Sequence, residues 1–445
     1  MKRKVFLLLM NRDGARRRWI IGILAVLVIA GAFLAPSVCG VPNAEQSEAQ
    51  PKFRDVRTAL ETMYLVKSEF YKPVSLSKLL QSYLAKGTVP GMLEVLGDPY
   101  TRYMTPQDFD ALRSDSAGVF GGIGILVGIR DEKITIISPI ENTPGMRAGL
   151  MPGDCIVEID GVSTEGMVLD RAVSMMRGEP GTEVTLVIER RYPAGRTEVK
   201  IIRDIIDAPS TRAYMIDKES GIGYIELRSF SQKAGHDIED DVKKLLSAGM
   251  RGLILDLRYN GGGLVTQAVE VSSKFIPAGP VMHVQGRDGL KSTLRTAGVR
   301  ITDIPMVVLV NEYTASASEI VSGALQDTKV ATVVGIPTFG KGLVQTLYPL
   351  SDGSGLAVTT QIYLTAGGRG ITPETPIQPD VVVEALSPEE LETIMSKKSS
   401  TSGPKGPVTS EDLLRIDPEL DPQFRKAVEV LKEKIQASSA ASGAA

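Results

Sequence analysis

Histidine and cysteine are almost missing from this 445-residue chain. There are two of each: His236 and His283, Cys39 and Cys155. Two histidines and two cysteines so far apart make neither a zinc site nor a disulfide framework. Charge of one sign is also missing. The formal net charge is −3, so no bulk electrostatic attraction to nucleic acid is expected. A glycine fingerprint for dinucleotides, GxGxxG opening a helix, is absent too, because the one glycine run has the wrong spacing. What remains is ordinary for globular domains, with 43% hydrophobic and 23% charged residues, and the length suggests more than one domain.

One stretch has no charge at all. Residues 19–41, WIIGILAVLVIAGAFLAPSVCGV, follow a basic start that carries Lys2, Arg3, Lys4, Arg12, Arg16, Arg17 and Arg18. A basic flank before an apolar run of this length reads as an export signal or membrane anchor over 1–41, with the basic end in the cytoplasm and the rest outside it. Residues 42–55 are polar and rich in Pro and Ala, as a linker is. A helical region is expected over 56–116, where VRTALETMYLVKSEF and SLSKLLQSYLAKG have helical spacing. Residues 117–203 read as a β-rich domain containing one helix, GMVLDRAVSMMRG. From 204 to 385, strands such as GLILDLRYN and PMVVLV alternate with helices such as GHDIEDDVKKLLSAG and SEIVSGALQD. That alternation predicts βαβ units, and the continuous apolar runs predict a mostly parallel sheet covered on both faces. Residues 386–445 read as a linker, an amphipathic helix and a tail, ASSAASGAA, that is disordered by composition. The fold class is therefore multidomain α/β.

The segment PMVVLVNEYTASASEIVSGALQD runs from a buried strand through a turn of small and polar residues into a helix. Such an elbow holds a serine hydroxyl at the carboxyl edge of a sheet, beside helix N–H groups that can stabilise an oxyanion. Ser316 is the candidate nucleophile. Ser316 and Ser318 would equally serve as plain helix N-caps.

A serine nucleophile needs a base, and neither histidine sits in a motif-like setting. A lysine is the chemical alternative. It must act neutral although its ordinary pKa is ~10.4, which requires burial among apolar groups. Lys341, in VVGIPTFGKGLVQTLYPL, has apolar neighbours and no acid within ten residues on either side; the competing reading is an exposed lysine in a glycine turn. Gln345 lies four positions on, and in a strand such residues share a face, so its amide would orient the Lys341 amine. In DLRYNGGGL a strand runs into three glycines that let backbone N–H groups approach a ligand; an ordinary tight turn would need no more.

Together these motifs resemble the carboxy-terminal processing peptidases, the Ser–Lys tail-specific proteases of the S41 family. The resemblance rests on Thr314-Ala-Ser-Ala-Ser-Glu319 for the family's SASASE, on Phe339-Gly-Lys341-Gly-Leu-Val-Gln345, and on the DLRYNGGG turn. Thr314 stands in place of the usual serine and Gly261 where many members have proline. GDPYTRYMTPQDF and a C-terminal signature ending at Pro379-Asp380 extend the likeness over roughly residues 55–385. The resemblance implies a Ser316–Lys341 dyad, oxyanion donors at the Ala317 and Gly262 amides, an acyl-enzyme, and no metal or other cofactor.

The domain at 117–203 resembles a PDZ domain, through FGGIGILV and Asn142-Thr-Pro-Gly-Met-Arg-Ala-Gly-Leu-Met-Pro-Gly-Asp154. A PDZ groove adds a peptide as an extra strand while loop amides hold its terminal carboxylate. Gly122, Ile123 and Gly124 would present those amides, and Val173 and Met176 would line the side-chain pocket. The implied partners are proteins with flexible C-termini, together with the membrane through the N-terminal segment and a second copy of the chain through residues 56–90 and 411–436. Nucleic acid is not among them. Two other functions fit parts of the chain: a non-cleaving membrane-tethered PDZ adaptor, and a histidine-dependent serine protease whose His–Asp–Ser order the chain lacks.

Overall fold

The computed structural model of the chain describes residues 56–386, except 131, 192, 193, 290 and 297, together with 390 and 420–443. The signal or anchor expected over 1–41 and the linkers at 42–55 and 397–410 lie outside the described residues. The chain divides into two compact units, the smaller running to Tyr103 and including Leu347–Val358.

The smaller unit is built on helices Val56–Glu69, Leu76–Lys86 and Val89–Leu93. The first buries Ala59, Met63 and Val66, the spacing of a single helical stripe. The second ends at Gly87, whose φ of 76° lets its N–H reach back to the Tyr83 carbonyl, a left-handed cap that glycine adopts without strain. Leu350, Leu356 and Val358 join this core.

In the larger unit a six-stranded sheet runs in the order Thr211–Asp217, Ile222–Leu227, Gly252–Asp256, Met306–Val310, Ala331–Gly335, Val381–Val382. All pairings are parallel except that of the first strand. The central strands alternate faces with period two. Leu253, Leu255, Met306, Val308 and Val310 belong to the core that includes helices Ala234–Ser247, Val265–Ser273 and Ala317–Asp327. Ile254, Val307 and Leu309 face Phe424, Ala427, Leu431 and Ile435 of the C-terminal helix Pro422–Gly443. Burial on both faces is why these strands read as unbroken apolar runs. A second sheet that the sequence did not announce pairs strand Pro280–Gln285 antiparallel with Lys291–Arg295 on one side and with residues 362–365 on the other.

The β-rich domain holds a sheet in the order Ile125–Arg130, Lys133–Pro139, Cys155–Ile159, Glu183–Arg191, Ala194–Ile202. Helix Leu169–Met176 packs Ala172 and Met176 into a core with Ile134, Ile136, Ile156 and Leu186. The antiparallel pair Val119–Gly122 and Asp204–Asp207 brings together the strands at which the chain enters and leaves it.

The tail departs from its reading. The terminal helix continues through the Ala/Ser-rich residues to Gly443. Alanine has the highest helix propensity of any residue, and a helix nucleated by its packed first turns propagates at little cost; composition alone misses that nucleus.

Candidate active site

The buried strand Met306–Val310 delivers the chain to Asn311, where the backbone turns. Thr314 knots the turn: its hydroxyl accepts the Asn311 N–H at 2.9 Å and donates to the Leu257 carbonyl at 2.9 Å. Ser316 follows with φ 57° and ψ −116°, immediately before helix Ala317–Asp327. A non-glycine residue in this region is strained, and such strain persists only where neighbours fix it. The neighbours here are explicit. The Ala315 N–H and the Ser318 hydroxyl donate to the Asn260 carbonyl at 3.1 and 2.8 Å. The Tyr363 hydroxyl donates to the Ser316 carbonyl at 3.1 Å. Burial first, and then the Glu319 charge, push the Tyr363 phenol well above its usual range, so it stays a neutral donor.

Glu319 is fully buried. Its Oε2 accepts the Ser316 N–H at 2.9 Å and the Lys341 N–H at 2.8 Å. Its Oε1 accepts the Thr338 hydroxyl at 2.6 Å and the Gly340 N–H at 2.7 Å. A carboxylate has about four acceptor sites, and four donors meet Glu319. It therefore positions its neighbours.

Lys341 lies in the loop between strands Ala331–Gly335 and Leu343–Pro349 and is half-buried. The flanking glycines are required by a close approach. A Cβ at Gly340 would stand 2.3 Å from the Thr372 carbonyl oxygen, and one at Gly342 2.1 Å from that of Ile371. Because Lys341 precedes the strand, the strand rule that placed Gln345 on its face does not apply. The Gln345 amide is directed to the Thr359 hydroxyl at 3.5 Å.

The glycine turn meets the elbow directly. Gly262 has φ 105°, and a Cβ there would lie 2.9 Å from Ser316 Cβ and from the Ala317 nitrogen. The Gly262 N–H donates to Asn260 Oδ1 at 2.9 Å, while Asn260 Nδ2 donates to the Leu227 carbonyl at 2.6 Å. Ala317 is the first helical residue, a position whose N–H helix geometry leaves without an intrahelical partner. The Glu319 carboxylate thus ties Ser316 to Lys341, and the close approach of Gly262 sets the glycine turn against Ser316 and Ala317.

Both histidines are engaged away from the serine. His236 pairs with Asp240 at 3.1 Å in an exposed helix position, and the His283 ring bonds Thr293 and the Ala366 carbonyl. In the β-rich domain, Gly122 ends a strand and Gly124 has φ 72°. Ile123 and Met176 are buried in the domain core, 2% and 4% exposed, whereas Val173 is half-buried. The carbonyls of Ile123 and Gly124 accept the Gly145 and Ile140 N–H groups.

Three residues important to this geometry escaped sequence reading: Glu319, Asn260 and Tyr363. Only Glu319 left a signal, since Ser316-x-x-Glu319 has the spacing of a capping box. Its link to Lys341 spans twenty-two positions, beyond any local pattern.

Residues 221–383 match peptidase family S41, and residues 135–190 match a PDZ domain. The chain is 34% identical over 435 residues to a carboxy-terminal-processing protease of Bartonella bacilliformis, covering 92% of this chain and 96% of that one. It is 35% identical over 371 residues to the carboxy-terminal processing protease CtpA of Bacillus subtilis, covering 83% and 77%. Among solved structures, the photosystem II D1 C-terminal processing protease is similar at 30% identity and a TM-score of 0.50, over 74% of this chain and 93% of that one.

Proposed function

The chain belongs to peptidase family S41, with the PDZ-containing carboxy-terminal processing proteases, and on that premise we propose that it cleaves peptide bonds with Ser316 as nucleophile and Lys341 as general base. It is a serine-type peptidase, and its relatives set aside the non-cleaving adaptor. The observation that carries the assignment is the bridge through Glu319, one carboxylate holding the backbone of Ser316 and of Lys341.

Neutral Lys341 takes the proton from Ser316 Oγ as Oγ bonds to the scissile carbonyl carbon. The developing oxyanion is held by the Ala317 N–H and by the Gly262 N–H, once the latter turns from Asn260 Oδ1. One such donor contributes about 3 kcal/mol to the transition state. The intermediate collapses by breaking the C–N bond, and the Lys341 ammonium returns its proton to the leaving amine. Water, deprotonated by Lys341, then releases the acyl group and restores Ser316. Gln345, four residues beyond Lys341, would orient its amine only by leaving Thr359. The PDZ domain captures the substrate C-terminus, with Gly122, Ile123 and Gly124 supplying backbone groups and Val173 and Met176 the apolar wall.

The test is hydrolysis of an unstructured peptide by Ser316→Ala and Lys341→Ala proteins with unchanged circular dichroism. Activity retained in either would remove the assignment. The basic, apolar N-terminal sequence supports placement outside the cytoplasm on a membrane anchor, which fractionation of protease-accessible cells would check. Exposed Leu76, Leu80 and Leu84, on one face of their helix, support a homodimer. A Leu80→Glu, Leu84→Glu protein of unchanged mass by light scattering would exclude that face.

A further inference from the structure

Two large exposed rings lie on the loops that carry Ser316 and Gly262. Tyr259 and Tyr313 are 73% and 56% exposed. They stack on each other with centroids 5.4 Å apart and planes inclined by 20°. Tyr259 lies in the turn that leads to Gly262, and Tyr313 is three residues before Ser316. Both loops are fixed from beneath by one buried side chain: Asn311 Oδ1 accepts the Tyr259 N–H at 3.0 Å and the Tyr313 N–H at 3.2 Å. Phe339, 49% exposed, projects from the Lys341 loop, and its N–H donates to the carbonyl of Thr314, the residue after Tyr313. The backbone of Tyr259 is strained as well, with φ 60°. A glycine or asparagine would take that conformation more easily.

We propose that the Tyr259–Tyr313 pair is a substrate subsite, a flat aromatic wall that favours a bulky apolar residue, above all an aromatic one, next to the scissile bond. This rests on the assignment of Ser316 as nucleophile. Surface loops tolerate isolated aromatic residues, but a stacked pair on the two loops that carry the nucleophile and an oxyanion donor is held where a substrate chain must pass. A strained, exposed aromatic residue contributes little to the core, so its role lies in what it meets from outside. Aromatic rings pair edge-to-face or offset with a third ring, and the pair leaves its outer face open to one. The negative π face of a ring repels a carboxylate laid against it, so the wall disfavours an acidic residue.

The experiment compares cleavage of unstructured peptides that differ at a single residue, Phe, Leu, Ala, Lys or Glu, placed in turn at each position flanking the cut. Wild-type enzyme, Tyr259→Gly and Tyr313→Ala are assayed beside Ser316→Ala. Glycine suits φ 60°, so Tyr259→Gly is expected to fold at least as stably as the parent. At one flanking position the wild type should prefer Phe over Ala in kcat/KM by about tenfold, the scale of one favourable aromatic contact. In Tyr259→Gly and Tyr313→Ala that ratio should fall toward one. An unchanged ratio in both variants overturns the subsite, as does a wild-type preference for Lys over Phe. Cleavage by Ser316→Ala would instead overturn the nucleophile assignment, so the two failures are distinguishable.

Discussion

The Lys341 N–H and the Ser316 N–H donate to the same oxygen, Oε2 of Glu319, at 2.8 and 2.9 Å. A loop carrying a base and an elbow carrying a nucleophile are thereby referenced to one atom. Glu319→Gln keeps the volume but turns one acceptor oxygen into an NH₂ that faces two donors. The expected cost is about 1–3 kcal/mol of stability and at least a tenfold loss of kcat. Chemical denaturation and peptide hydrolysis read the two effects, and parent-like values in both would show that the carboxylate is dispensable.

Gly262 has no room for a side chain. Its Cβ would fall 2.9 Å from Ser316 Cβ and from the Ala315 carbonyl oxygen, at a φ of 105°. Gly262→Ala should therefore displace the elbow and abolish cleavage, while the β-rich domain keeps its peptide affinity. Fluorescence titration of a C-terminal peptide separates the two functions; loss of both would mean general misfolding.

The C-terminal helix is tied to the glycine-turn motif through a buried ion pair. Arg258 bonds Asp256 at 2.7 Å and Asp421 at 2.8 Å, and Asp421 also caps the helix by accepting the Phe424 N–H. Asp421→Ala removes a cap and one partner of a guanidinium that is only 10% exposed. A loss of about 2–4 kcal/mol is expected, measurable by urea denaturation. Removal of residues 420–445 would uncover Ile254, Val307 and Leu309, and should give insoluble protein.

Glu239 supplies a pH signature. Hydrogen bonds from Lys243 and Lys274, at 2.5 and 2.6 Å, lower its carboxyl from the ordinary 4.5 to about 2. Because the folded value is the depressed one, its stabilisation is complete above the unfolded value and is lost as pH falls from about 4.5 toward 2. The Tm difference between parent and Glu239→Gln should be present at pH 7 and vanish near pH 2. A constant difference would contradict the pairing.

Most of the framework was legible because its periodicity is local. GLILDLRYN and PMVVLV read as buried parallel strands, and Met306–Val310 and the helix at Ala317 lie where the residues predict. The relationships that make a site were not local. No pattern near Lys341 reveals Glu319, and the engagement of the Gly262 N–H by Asn260 depends on side-chain torsion rather than composition. The Tyr259–Tyr313 stack joins residues fifty-four positions apart. The helical tail was missed because propensity without a nucleus looks like disorder.

The central claim, that Ser316 attacks and Lys341 removes its proton, is tested most directly by mass spectrometry of enzyme quenched during turnover of an unstructured peptide. The account predicts a chain heavier by the N-terminal product less one water, with the added mass on the fragment containing Ser316, and no adduct in Lys341→Met. An adduct on another residue, or equal adduct formation in Lys341→Met, would contradict it.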